Sequence, residues 1–145
     1  MIEDLQRQGL IKTVPVDRKK IQDARDLALR DIATARSILA NNQDWAYTIA
    51  YNAVLQAGRA LMFSQGYRPD GANQHVSVVK FVELYLDKND GIMFDRMRRK
   101  RNSSVYDTAG SITESEAKFA LREAEDLVKK IFAVIDKSQN RTAFF

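Results

Sequence analysis

Five cations occupy six positions in Arg96-Met97-Arg98-Arg99-Lys100-Arg101, and the chain runs directly on into Asn102-Ser103-Ser104-Val105-Tyr106-Asp107. Arginine forks grip phosphate oxygens two at a time, so this segment offers chemistry for an anion: RNA, a nucleotide or an acidic protein surface. At about 100° per residue, Phe94, Met97, Arg101 and Val105 fall within one arc of a helix, which sets Arg101 inside an apolar stripe. A guanidinium there is costly unless a carboxylate, a phosphate or a water-filled groove compensates it. Two readings stay open: an internal salt bridge or snorkelling side chain, and an anion site. Arg98, Arg99, Arg101 and Asn102 are the candidate phosphate ligands, while the neighbouring cations, projecting in several directions, raise the local potential.

Tyr106 is the other candidate for chemistry. It can donate a hydrogen bond to a phosphate, stack on a base, or simply close the end of a helical bundle. With an ordinary pKa of about 10 it is a poor general base near neutral pH. Five residues of regular helix rotate it about 140° from Arg101, so the two converge only across a helix end or a dimer axis. Ser103-Ser104 and Asp107-Thr108-Ala109-Gly110 favour a helix end there. His75 is the only imidazole, read either as a packing residue that opens a helix or as the one available base.

Composition removes other chemistries. There is no cysteine, hence no disulfide, thiolate metal site or thiol nucleophile, and one histidine excludes a multi-histidine site within one chain. No metal site and no cofactor are expected. The net charge of +4 is local: without the five cations of the basic segment, 18 basic residues face 19 acidic ones. A patch on a nearly neutral body points to a discrete anion site more than to general coating of nucleic acid. At 145 residues, 45% apolar and 29% charged, the chain has the make-up of one globular domain. No apolar run approaches about 18 residues and Met1-Ile2-Glu3-Asp4 lacks signal-peptide character, so a cytoplasmic protein without a membrane segment is expected.

These residues must be positioned by helices. Ile21, Ala24, Leu27, Ala28, Ile32, Ala35, Ile38 and Leu39 recur at intervals of three and four, predicting an amphipathic helix over 17–41. Asp44 is the expected N-cap of a second helix to about residue 65, stopped by Gly66. Almost every position of that helix is apolar, so it should be central. Its polar residues Thr48, Asn52, Gln56 and Arg59 share one stripe, read as a solvated edge, a cleft wall or a dimer contact; Asn52 and Arg59 are the cleft-lining candidates. Residues 67–73 read as a loop and 74–86 as a third helix, with Asn89-Asp90-Gly91 as a break before a fourth that starts near Ile92 and carries the basic segment. Thr113 and Glu116 form a capping box for a last helix striped by Ala117, Ala120, Leu121, Ala124, Leu127, Val128, Ile131 and Ile135. The expected fold is all-α: an antiparallel four-helix up-and-down bundle over 17–137 with a shorter extra helix, an N-terminal extension over 1–16 that holds a short helical turn, and a mobile tail over 138–145. No strand-like alternation competes.

From about Ala33 to Ile131 the order of features resembles the HEPN domain, a helical family found in prokaryotic toxin–antitoxin systems and associated with nucleotidyltransferases. The resemblance is carried by the aromatic and alanine-rich helix Asp44-Trp45-Ala46-Tyr47-Thr48-Ile49-Ala50-Tyr51-Asn52-Ala53-Val54-Leu55-Gln56-Ala57-Gly58-Arg59-Ala60-Leu61-Met62, then Gly66-Tyr67-Arg68, His75, Arg101-Asn102 with Tyr106, and the last helix opening at Thr113. It implies a homodimer whose protomers line one cleft with an arginine, a polar residue and a histidine five to seven positions on, and metal-independent RNA cleavage in active members. Arg101-Asn102 match the first half of that motif. Tyr106 stands where the histidine would be, and no histidine follows, which leaves endoribonuclease activity open. If present, the chemistry would be attack of a ribose 2′-hydroxyl on the adjacent phosphate, with Arg101 stabilising the developing charge.

Two functions follow from the resemblance. The first is a dimer that binds RNA or a nucleotide phosphate at a cleft lined by Arg101, Asn102 and Tyr106, as the toxin half of a pair with a minimal nucleotidyltransferase. The alternative is a non-catalytic interaction module that docks such a nucleotidyltransferase, with Tyr106 or Tyr67 as acceptor of a nucleotidyl group.

Overall fold

A computed structural model of the chain describes the backbone of residues 1–107 and 110–143 and the side chains of residues 1–103 and 110–139. The described residues form six helices and one two-stranded ribbon: α1 (Ile2–Arg7), β1 (Ile11–Thr13), α2 (Arg18–Ile38), α3 (Gln43–Ser64), β2 (Tyr67–Pro69), α4 (Gln74–Glu83), α5 (Lys88–Asp107) and α6 (Glu114–Ala143). The architecture is the expected all-α one. No helix among the described residues is long and apolar enough to cross a membrane.

Helix α3 is the axis of the fold because it has almost no polar face. Ala50, Ala53, Ala57 and Ala60 are fully buried, so neighbouring helices can approach it on several sides. Gly58 marks the tightest approach: a Cβ there would lie 2.5 Å from Val78 Cγ1 and 3.0 Å from Val82 Cγ2 of α4. On another side α2 and α6 close over α3. Arg25 pairs with Asp136 and Arg36 with Glu125, a pairing that runs in opposite senses along the two helices and so fixes them antiparallel. The same holds for α5 and α6, through Asp90 with Lys130 and Lys100 with Glu116. All eight apolar residues of the α6 stripe are buried, and the Thr113–Glu116 capping box forms with both reciprocal bonds at 3.1 Å.

Four expectations are corrected. The N-cap of α3 is Asn42, whose side chain accepts from Trp45 N at 3.0 Å. Asp44 lies in the first turn instead, where its carboxylate suits the helix dipole and accepts from the Gly110 and Ile112 amides at 2.6 and 3.4 Å, tying the start of α3 to the approach of α6. Asn89-Asp90-Gly91 does not break the chain ahead of α5 but forms its first turn, with Asp90 held by Lys130 at 3.0 Å. The stretch read as a loop contains β2, paired antiparallel with β1 in the register Ile11 with Pro69 and Thr13 with Tyr67, and extended by Val14 N to Gly66 O and Asp70 N to Leu10 O, both 2.9 Å. Three-residue strands are too short to show alternation in sequence. Last, α5 is one helix through Asp107, so the helix end expected between Arg101 and Tyr106 is absent. Among the described residues helix α6 runs to Ala143.

Candidate functional site

Phe94 and Met97 are buried on the core face of α5, and Arg101 follows one turn later, half-buried, as their spacing predicts. Its guanidinium carbon lies 5.9 Å from the centre of the Tyr51 ring, and its Nη1 donates to Asn102 Oδ1 at 3.2 Å. Tyr51, from the middle of α3, is fully buried and also packs on Phe94, with ring centres 6.0 Å apart. Its hydroxyl reaches His75 Nδ1 at 2.9 Å, with His75 the second residue of α4. Three helices thus bring Arg101, Tyr51 and His75 together.

The protons of this cluster can be placed by elimination. Burial pushes the Tyr51 phenol well above its ordinary pKa, outweighing the pull of Arg101 and Arg98. A buried O–H needs an acceptor, and His75 Nδ1 is the one that Tyr51 meets. The phenol therefore donates to Nδ1, and the ring proton of neutral His75 sits on Nε2. Burial first, then the charges of Arg101, Arg98 and Arg59, hold the imidazole below its ordinary pKa, so it stays neutral at pH 7. The cluster offers hydrogen-bond donors, the His75 Nε2–H and a guanidinium whose charge reaches the imidazole, and so is suited to holding an oxyanion rather than to abstracting a proton.

The rest of the basic segment does not form one patch. Arg98 Nε donates to Asp95 Oδ1 at 3.0 Å, and Arg99 meets Asp95 Oδ2 at 2.6 Å, so both of these phosphate-ligand candidates share one carboxylate within the helix. Arg98 remains close enough to Tyr51 and His75 for its charge to act on both. Arg99 is exposed and lies with Arg96 on a different side, and Lys100 turns to Glu116 of α6 at 3.3 Å. Asn102 is exposed and orients Arg101. The side chains of Tyr106 and Val105 lie outside the described residues. Tyr67, the other acceptor candidate, sits on β2 against Phe81, ring centres 5.8 Å apart.

The polar stripe of α3 splits in three. Thr48 is buried and donates back to Asp44 O. Asn52 donates to Asp31 Oδ2 at 2.8 Å, completing with Arg30 the hydrogen bonding of a buried carboxylate, so Asn52 is engaged in the α2–α3 interface. Gln56 and Arg59 line a cleft of about 470 Å³. Among the described residues no group of three or more histidine, cysteine, aspartate or glutamate side chains is arranged to hold a metal ion.

The order of helices around Arg101 can now be set beside known proteins. The HEPN domain matches residues 21–134, most of α2 through most of α6. The chain belongs to the HEPN domain family. Membership makes it, in general terms, a nucleotide- or RNA-related or interaction module. Among solved structures, the HEPN chain is similar to TT1696 from Thermus thermophilus, with a TM-score of 0.61 and 16% identity over 79% of this chain and 97% of that one. At that identity the likeness speaks for the fold. No curated protein matches the chain. What the sequence reading missed within the HEPN fold is the Tyr51–His75 pair: the two residues lie 24 positions apart on different helices, and no local spacing signals their contact.

Proposed function

We propose that this HEPN protein binds RNA or a nucleotide through its phosphate at Arg101, with Asn102 orienting the guanidinium and the His75 Nε2–H as a neutral second donor. The observation that carries the reading is that Arg101 and His75 both meet the buried Tyr51, the one over its ring and the other at its hydroxyl. An arginine with a neutral imidazole donor recognises a phosphate oxygen without requiring a proton transfer, which favours binding over cleavage. In this reading the protein acts as a homodimer in the cytoplasm, its two clefts facing one ligand, and pairs with a minimal nucleotidyltransferase as the toxin half of a two-gene module.

Labelled RNA incubated with the purified protein and with Arg101→Ala and Arg99→Ala variants tests this. Loss of a charged hydrogen bond of about 1.5–3 kcal/mol should weaken binding about 10- to 100-fold in Arg101→Ala. Arg99→Ala, exposed and already paired with Asp95, should bind within about two-fold of wild type. Equal binding by the wild type and Arg101→Ala would sink the reading. Cleavage dependent on Arg101 would extend it to a ribonuclease.

A further inference from the structure

Beyond Asn52, the polar stripe of α3 enters the cleft that Gln56 and Arg59 share with α2 and β2. Arg59 is half-buried and its guanidinium carbon lies 5.8 Å from the centre of the Phe63 ring. Its Nε is buried and has no hydrogen-bond partner among the described residues. Phe63 offsets part of the cost of burying the charge but supplies no oxygen, and a buried donor without an acceptor costs about 1–3 kcal/mol.

The cleft gathers further positive charge. Lys20 of α2 is exposed at its rim and has no ion-pair partner among the described residues. Arg68 of β2 donates to the neighbouring Pro69 carbonyl at 3.2 Å and stands 3.8 Å from Asp70, a separation that leaves much of its fork available. The one carboxylate in the lining, Asp23, is taken by Lys19 at 2.9 Å. Lys20, Arg59 and Arg68, set against the engaged Asp23 and the more distant Asp70, leave this concave site with an excess of positive charge that suits an anion.

The other walls say which anion. Leu27, Phe63 and Pro69 give an apolar surface for a flat ring, and the amides of Gln56 and Gln74 have no partner among the described residues, leaving donors and acceptors for polar ring edges. A volume of about 470 Å³ is within the range of small-molecule pockets and well above the needs of a bare phosphate. We propose that this cleft between α2, α3 and β2 binds a mononucleotide, its phosphate on Arg59 with Lys20 and Arg68, and its base between the apolar wall and the two glutamine amides. The lining shares no residue with the Arg101 site, although the Arg59 charge also acts on His75 there.

Calorimetric titration of the full chain with adenosine monophosphate, uridine monophosphate, adenosine and inorganic phosphate tests this. In the Arg101→Ala chain, which lacks the other phosphate site, one or both mononucleotides should bind with one site per chain, and adenosine and phosphate each at least about ten-fold more weakly. Arg59→Gln should weaken the mononucleotide about ten-fold or more, and Lys20→Gln about three-fold. Lys20 is exposed, so its variant reports even where loss of Arg59 impairs folding. Absence of saturable heat with either mononucleotide at millimolar concentration overturns the proposal. So does phosphate binding as tight as the mononucleotide's, an unchanged affinity in both the Arg59 and Lys20 variants, or a loss that follows Arg101→Ala instead. The last result would move the ligand to the other site, whereas failure of RNA binding at Arg101 leaves this cleft untouched.

Discussion

On the flank of α3 covered by α2 and α6, arginines are answered within the chain: Arg25 lies 4.4 Å over the Phe132 ring and meets Asp136 at 2.7 Å, and Arg36 meets Glu125 at 2.6 Å. On the other flank, which runs from the cleft with α2 and β2 round to α4 and α5, Arg59 keeps a buried Nε without an acceptor among the described residues, and Arg101 donates to a neutral amide and lies over a tyrosine that holds a neutral histidine. The residue type is the same on both sides, and its role is set by what the opposing helix supplies. A cation met by a carboxylate completes the fold, while Arg59, which meets an aromatic ring and whose Nε has no acceptor among the described residues, is prepared for an anion from outside.

The comparison is broken most severely by disturbing the α3–α4 contact that places His75. Gly58→Ala puts a methyl group 2.5 Å from Val78 Cγ1, and a β-branched side chain in a packed helix has little room to yield. The expected loss is about 1–3 kcal/mol of stability, read as a lower urea midpoint at unchanged slope, with weaker RNA binding in the folded population. Wild-type stability in this variant would mean that α4 is not held tightly enough to position His75.

A smaller effect is expected from Tyr51→Phe, which keeps the ring and removes the hydroxyl. Loss of the hydrogen bond to Nδ1 should cost about 1 kcal/mol. The imidazole nitrogen shifts should show the Nε2–H tautomer in the wild type and a mixture in the variant. A single Nδ1–H tautomer in the wild type would reverse the donor assignment and reopen His75 as a base.

The same imidazole predicts a pH dependence. Its native pKa lies below the ordinary value of about 6.5, through burial and the charges of Arg101 and Arg98 on α5 and Arg59 on α3, with the Tyr51 hydroxyl on its Nδ1. The unfolded chain therefore binds the proton more readily, and stability contributed by neutral His75 is complete above about pH 6.5 and declines as pH falls through the native pKa. His75→Gln should flatten that decline in urea unfolding measured between about pH 7.5 and 5. An equal slope in the variant would assign the decline to other groups.

Much of the first flank was legible from sequence and little of the second. The α6 stripe and the Thr113–Glu116 box are local patterns, and local patterns survive folding. Arg101 was also found, because its position among Phe94 and Met97 is a matter of helical spacing. Choices made by distant partners were not visible. Asn42 and Asp44 are both good caps, and the amides of Gly110 and Ile112 recruit the second. Asn89-Asp90-Gly91 has the composition of a turn, yet Lys130 on α6 meets Asp90 in a helix. Arg98 and Arg99 read as phosphate ligands until Asp95, on their own helix, is seen to hold both. The Tyr51–His75 bond joins two helices, and nothing in either segment announces the other.

The smallest expected effect lies on the answered flank. Arg36 is exposed and Glu125 half-exposed, so their ion pair is screened by water and offset by the entropy of fixing two long side chains. Arg36→Ala should lower stability by no more than about 1 kcal/mol and leave RNA and mononucleotide binding unchanged, by the same titrations used for the Arg101 and Arg59 variants. That null result in binding matters as much as the small loss in stability. A ligand attracted only by general positive charge would respond to any arginine removed from a chain carrying 23 basic residues. One held at particular guanidinium groups would ignore Arg36 and fail without Arg101 or Arg59. A fall in affinity for Arg36→Ala comparable to that for Arg101→Ala would therefore erase the distinction between the two flanks and reduce both anion sites to a diffuse field.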